Sequence, residues 1–144
     1  MTWDDRWMDL CDFISQWSKD RSTKVGSVIV DDRQVLVSIG WNGFPRGIDD
    51  DVELRHDRPL KYKVTEHAER NAIYNAAAKG HPLLDCTLYV KWFPCSDCAR
   101  AIIQSGLKAV VCDEPDFMAD RWGEDFRVSY ALLTEAGIDV RYRK

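Results

Sequence analysis

The stretch EHAERNAIYNAAAKG, residues 66–80, sets His67 and Glu69 at the opening of an alanine-rich run. A second stretch, WFPCSDCARAII at residues 92–103, carries Cys95 and Cys98 as a C-x-x-C pair directly after Pro94. Thiolates and imidazole are zinc ligands, and a helix N-terminus favours the thiolate by presenting unpaired N–H groups. His67, Cys95 and Cys98 therefore form a three-ligand set for one Zn2+ per chain, with the fourth tetrahedral corner open to water. An open corner is the mark of a catalytic site, since structural zinc closes all four positions. Water bound there would ionise near pH 7, and Glu69 would shuttle its protons to a substrate. Residues two apart point to different sides of a helix, so Glu69 is poorly placed as a ligand beside His67. Side chains also lean toward the helix N-terminus, which would let both converge on a site off the helix end; that convergence is a tertiary question.

Each half has a bland alternative. A lone C-x-x-C is shared with structural zinc knobs and redox dithiols, and a lone His at a helix start is commonly a cap or a surface group. A structural module has no use for Glu69, and a redox dithiol needs a thioredoxin-like setting that this chain lacks.

The elements that must position these residues follow from periodicity. Residues 4 to about 19 place Trp7, Leu10, Cys11, Ile14 and Trp17 at helical spacing. Residues 25–31 and 34–41 are β-branched runs around Asp32-Arg33, an antiparallel hairpin. Residues 42–65, with Gly43, Pro45, Gly47, Asp49 to Asp51 and Pro59, read as a long irregular connection of the kind that carries function. Then come a helix at 66–79, a strand at 86–91, a helix at 98–106, a strand at 108–113, a helix at 126–137 and a strand at 138–143. Gly80, Gly106 and Gly137 mark the helix ends. Alternation of helix and strand favours parallel pairing of the last strands. The expected fold is α/β: a three-layer α/β/α sandwich on a mixed five-stranded sheet, one domain over residues 1–144.

With 20 basic and 24 acidic residues the net charge is −4, which argues against a general nucleic-acid binder. No apolar run approaches the roughly 18 residues that span a membrane. The start, MTWDDRWMDL, is acidic and unlike a signal peptide, and five cysteines in a leaderless chain suggest reduced thiols. The expected compartment is the cytoplasm. Cys11, Cys86 and Cys112 lie in apolar stretches and read as buried thiols.

H-x-E followed by P-C-x-x-C is the signature of zinc deaminases. At these residues the chain resembles the cytidine deaminase superfamily, and within it the deoxycytidylate (dCMP) deaminases, over most of its length: KVGSVIV (24–30), GWNGFPRGIDDD (40–51), EHAERNAI (66–73) and TLYVKWFPCSDCARAIIQSG (87–106). The resemblance implies a zinc-dependent hydrolase that converts dCMP to dUMP and ammonia. It implies His67, Cys95 and Cys98 as ligands and Glu69 as the group delivering protons to N3 and the leaving amine. It further implies the Ala68 N–H as partner of the pyrimidine O2, Asn42 at the sugar hydroxyl, and Phe117 beside the substrate. Asn42 also reads as a plain turn residue, since Asn-Gly is a strong turn signal. A phosphate site would fall in SKDRSTK (18–24), at Ser18, Arg21, Ser22 and Lys24, although such a segment is equally a solvated loop. RHDRPLKYK (55–63) reads as a surface or subunit-contact segment. Trp41 departs from the family's usual Tyr, and His56 is the loop's one further metal-type ligand. Relatives imply a homo-oligomer, dimer or hexamer, with dCTP and dTTP as effectors. The alternatives are a tRNA-type nucleic-acid deaminase, a nucleoside or purine deaminase with the same zinc chemistry, and a non-enzymatic zinc module.

Overall fold

Thr2 and Asp5 close a reciprocal capping box, Thr2 Oγ1 accepting from the Asp5 amide at 3.0 Å and Asp5 Oδ2 from the Thr2 amide at 2.8 Å. This starts α1, Trp3–Ser15, in the computed structural model, which describes residues 1–144. The helix stops four residues before its expected end. Trp17 lies beyond it, half-exposed, with its ring edge on Trp41 at 5.3 Å between centroids.

The remaining elements are β1 (Gly26–Val30), β2 (Leu36–Trp41), a 3-10 turn at Glu53–His56, α2 (Lys61–Val64), α3 (Ala68–Ala78), β3 (Thr87–Val90), α4 (Ser96–Gln104), β4 (Ala109–Cys112), α5 (Gly123–Glu135) and β5 (Asp139–Tyr142). Strand order is β2-β1-β3-β4-β5. β1 pairs antiparallel with β2 and with β3, while β3–β4 and β4–β5 are parallel. The mixed five-stranded sheet of the sequence reading is thus present, with the hairpin and the parallel half where alternation placed them. β2 begins later than expected because Gln34, at φ 63°, belongs to the turn. The 42–65 connection is less irregular than expected, since it holds the 3-10 turn and α2.

Alternation along the strands divides two apolar layers. Val28, Val30, Tyr89 and Val111 face α1 through Met8, Cys11 and Ile14. Ile29, Leu88, Val90, Val110 and Cys112 face the opposite side, against Ala72, Ile73, Ala76, Ala99, Ile102 and Leu133 of α3, α4 and α5. Cys11, Cys86 and Cys112 are buried free thiols, as their apolar surroundings implied.

The side carrying α3 and α4 holds the site, and Gly40 determines how closely α3 lies on the sheet. A Cβ at Gly40 would fall 2.3 Å from the Ala72 nitrogen and 2.5 Å from the Ala68 carbonyl, inside van der Waals contact. Asn71 and Asn75, one turn apart, donate at 2.8 Å each to the Trp41 and Ile39 carbonyls. Ser38 Oγ donates to the Ala72 carbonyl at 2.7 Å. The three bonds tie α3 to β2, and the two from asparagine satisfy carbonyls that an edge strand otherwise leaves open.

Candidate metal centre

His67 is the N-cap of α3, with extended backbone at φ −76° and ψ 154°, and the helix proper begins at Ala68. The spacing reads His67 as part of the opening turn of a helix over 66–79; the structure sets it one position before the helix. Because it lies outside, the rule that residues two apart diverge does not bind it, and the imidazole and the Glu69 carboxylate are brought to one place. Cys95 is likewise the N-cap of α4, at φ −69° and ψ 170°, with Cys98 in the first turn. Two strand ends and two helix starts thus meet at one end of the sheet.

The His67 Nδ1 nitrogen lies 3.4 Å from Cys95 Sγ and 3.4 Å from Cys98 Sγ. All three donor atoms lie within 4.8 Å of one another, with no fourth His, Cys, Asp or Glu among them. Zinc bonds of about 2.3 Å to sulfur and 2.0 Å to nitrogen at the tetrahedral angle separate the donors by about 3.5 Å. The trio fits the ion, and Glu69 stands beside the set rather than in it.

Electrostatics agree with that fit. Hydrogen bonding from Cys98, and then from His67, brings Cys95 down to about 4 against the opposing effect of burial. Cys98 is pushed upward, first by its bond to Cys95 and then by burial. The two shifts describe one coupled pair: the first proton leaves Cys95, and its negative charge resists the second. A divalent cation removes that resistance. The Cys95 contact also raises the His67 pKa. Glu69 is buried, and desolvation raises its carboxyl above the usual range.

Side chains that sequence reading missed surround the trio. Arg70 pairs with Glu66, lies 3.6 Å from Asp97, and is close enough to both thiols to feel their charge. The Glu66–Arg70 spacing of four was legible as a helix pair. Asp97, reached across two helices, was not. Glu66 also exchanges two backbone hydrogen bonds with Gly43, at 3.1 and 2.8 Å, which pins the 42–50 loop beside His67.

Asn42 is buried, its Oδ1 accepting from the Val25 amide at 2.9 Å and its Nδ2 donating to the Thr23 carbonyl at 2.8 Å. Ser18 is buried against it, donating to the Asn42 carbonyl at 2.8 Å and accepting from the Asp20 amide at 3.2 Å. Arg21 forms a bidentate pair with Glu53, while Ser22 and Lys24 are exposed. Phe117 packs edge-on to Phe93 and Tyr130 at 5.7 and 5.4 Å. His56 Nε2 donates to the Asp50 carbonyl at 2.6 Å. The 55–63 segment is not wholly surface: Lys61 is buried and paired with Asp20 at 3.0 Å, because the loop folds back over the 18–24 turn. Asn42, Asp20, Lys61, Arg46 and His56 are among the residues lining a cleft of about 340 Å³ beside Trp41.

Residues 1–114 match the family model of the cytidine and deoxycytidylate deaminase zinc-binding region. The chain belongs to this family. It is a zinc-dependent hydrolytic deaminase by descent, and the trio is placed where it could hold the ion. It is 40% identical to an uncharacterised deaminase of Aliivibrio fischeri, over 97% of this chain and 92% of that one. It is 36% identical to the deoxycytidylate deaminase of Mus musculus, over 100% of this chain and 80% of the mouse protein. Among solved structures, the dCMP deaminase of cyanophage S-TIM5 in complex with dCMP and dUMP superposes with a TM-score of 0.76 at 25% identity, covering 96% and 95% of the two chains. No helix is long and apolar enough to cross a membrane.

Proposed function

We infer that this chain hydrolyses a free deoxycytidine nucleotide, dCMP and water giving dUMP and ammonia, with residues 1–144 acting as one deaminase domain. The observation that carries the reading is a buried carboxyl, Glu69, beside a three-donor zinc set in a chain that aligns over its whole length with 80% of a deoxycytidylate deaminase. Zinc held by His67, Cys95 and Cys98 would supply Lewis acidity that lowers the pKa of water toward about 7. Glu69 accepts a proton from the attacking water, and burial raises its carboxyl above the usual range, the direction that suits a group that must pick up a proton. It delivers that proton to N3 as the C4–O bond forms, then takes the remaining proton from the new C4 hydroxyl and passes it to the departing amine as the C4–N bond breaks and the C4 carbonyl is left. The Ala68 N–H heads α3, where no intrahelical acceptor reaches it, and is free to bind the pyrimidine O2.

Asn42 orients toward the sugar with its remaining N–H, while its other contacts fix the 23–25 segment. Of the four phosphate candidates, Ser22 and Lys24 have free side chains. Arg21 is paired with Glu53 in an exposed bridge that a phosphate can replace at small cost. Ser18 acts through Asn42. Phe117 supports the wall through Phe93. The same reading carries a cytoplasmic location and a homo-oligomer, dimer or hexamer, with dCTP and dTTP effectors; light scattering with and without each nucleotide tests the last two.

Release of ammonia from dCMP, CMP, deoxycytidine, cytidine, guanine and adenosine is the deciding measurement. The expected result is turnover of dCMP well above that of deoxycytidine. Equal turnover of the two removes the phosphate pocket, and turnover of a purine alone removes the substrate class.

A further inference from the structure

The family model ends at residue 114, so α5 lies wholly outside the matched region. Yet α5 touches each residue that flanks Cys95. Phe93, buried at the end of β3, packs against Phe126 at 5.6 Å and Tyr130 at 6.4 Å between ring centroids. The Pro94 carbonyl accepts from Ser129 Oγ at 2.8 Å, and Ser129 is fully buried. Ser96 gives its amide to Asp125 Oδ2 at 2.9 Å and its hydroxyl to Asp125 Oδ1 at 2.7 Å. Asp125 and Ser129 are one helical turn apart, as are Phe126 and Tyr130, so one face of α5 supplies all four contacts. The start of α5 is itself fixed: a Cβ on Gly123 would lie 2.6 Å from the Phe117 carbonyl oxygen, which holds the helix close to the 117–118 segment.

We propose that Asp125 and Ser129 are positioning residues for the metal centre, clamping the Phe93–Ser96 turn so that the Cys95 thiolate stays aimed at the zinc. The proposal rests on the zinc-ligand reading above. Cys95 is half-exposed, and its own backbone is an N-cap with extended torsions rather than part of a regular helix. Its carbonyl accepts the first intrahelical bond, from the Ala99 amide at 2.8 Å, but the amides of the cap and first turn have no intrahelical acceptor, and their restraint comes from outside the helix. A carboxylate taking both hydrogens of Ser96 fixes the residue after the ligand, and a buried hydroxyl on Pro94 fixes the residue before it. Neither side chain belongs to the donor set, and both act on it through the turn. Partners of this kind around metal sites change affinity by roughly 10–100-fold when removed.

The test is zinc loss from the loaded, full-length protein to a colorimetric chelator, followed over time beside total zinc content and thermal unfolding. Asp125→Ala and Ser129→Ala are expected to release zinc roughly tenfold faster or more than wild type. Asp125→Asn and Ser96→Ala, milder changes that keep the helix intact, are expected to accelerate release as well, and together by less than the product of their separate effects. Val30→Ala, a cavity on the α1 side of the sheet, serves as the stability control and is expected to lower the melting temperature without changing the release rate. The clamp is overturned if the Asp125 and Ser129 variants release zinc at the wild-type rate, or if Val30→Ala accelerates release equally. A wild-type protein purified without bound zinc overturns the ligand reading itself, which separates that failure from failure of the clamp.

Discussion

Glu69 sits in the first turn of α3 with almost no solvent contact, beside two thiols and an imidazole. Burial raises its pKa above the usual carboxylate range, the direction that suits a proton carrier. A carboxyl used only for packing would be replaced by its amide with little consequence. A proton carrier would not. Glu69→Gln is therefore expected to keep its zinc and its melting temperature and to lose on the order of 10²–10⁴ in kcat for ammonia release. Retained activity removes Glu69 from the chemistry, whereas lost zinc makes it a structural support. The thiols divide the labour in another way, with Cys95 ionising first and Cys98 held back by its neighbour's charge.

At the scale of elements, the site exists because α3 lies unusually close to β2. Gly40 is the contact point, and the three side-chain bonds from Ser38, Asn71 and Asn75 hold the approach. Gly40→Ala forces α3 outward, carrying His67 and Glu69 with it. We expect a loss of about 3 kcal/mol in urea unfolding, together with weakened zinc binding. Unchanged zinc affinity would show that the helix recovers its place.

The turn between α1 and β1 depends on a second contact. The Asp20 side chain is largely out of solvent, which by itself raises its pKa, but the Thr23 and Ser22 amides and the Lys61 ammonium outweigh that and hold its carboxyl below the usual aspartate range. Its folded-state pKa is depressed, so its contribution to stability is present above about pH 4 and fades as pH falls through the folded value. Asp20→Ala, which leaves Lys61 buried without its partner, is expected to cost about 3 kcal/mol at pH 7. Urea titrations at decreasing pH are expected to bring variant and wild type together below pH 4. A constant gap would mean that the carboxylate's charge is irrelevant.

Across the whole molecule, zinc held by His67, Cys95 and Cys98 would join α3 to α4, while the two apolar layers hold the sheet without it. The chain is long enough for such a core to stand alone. Stripping zinc with a chelator is expected to abolish turnover and to lower the melting temperature by about 5 °C or more, since a ligand bound only by the folded state stabilises it. Far-UV circular dichroism is expected to stay near that of the loaded protein. Collapse of the spectrum would place the metal among the folding determinants.

What was legible along the chain is what short-range physics records. Donor chemistry, the H-x-E and C-x-x-C spacings, strand alternation and helix-ending glycines all reside within a few residues, and they yielded the five strands, the zinc set and the family resemblance. The sequence reads His67 as the opening residue of a helix and not as its cap, because composition cannot show a residue whose backbone is still extended when its neighbour turns helical. Lys61 looked like surface because a charge run gives no sign that the loop folds back onto Asp20. The clamp from Asp125 and Ser129 was invisible for the same reason: Ser96 and Asp125 are separated by 29 residues, and only the packing of α5 beside α4 brings them together. Local periodicity determined which groups this protein carries; the close approach of helices to the sheet decided which of them meet.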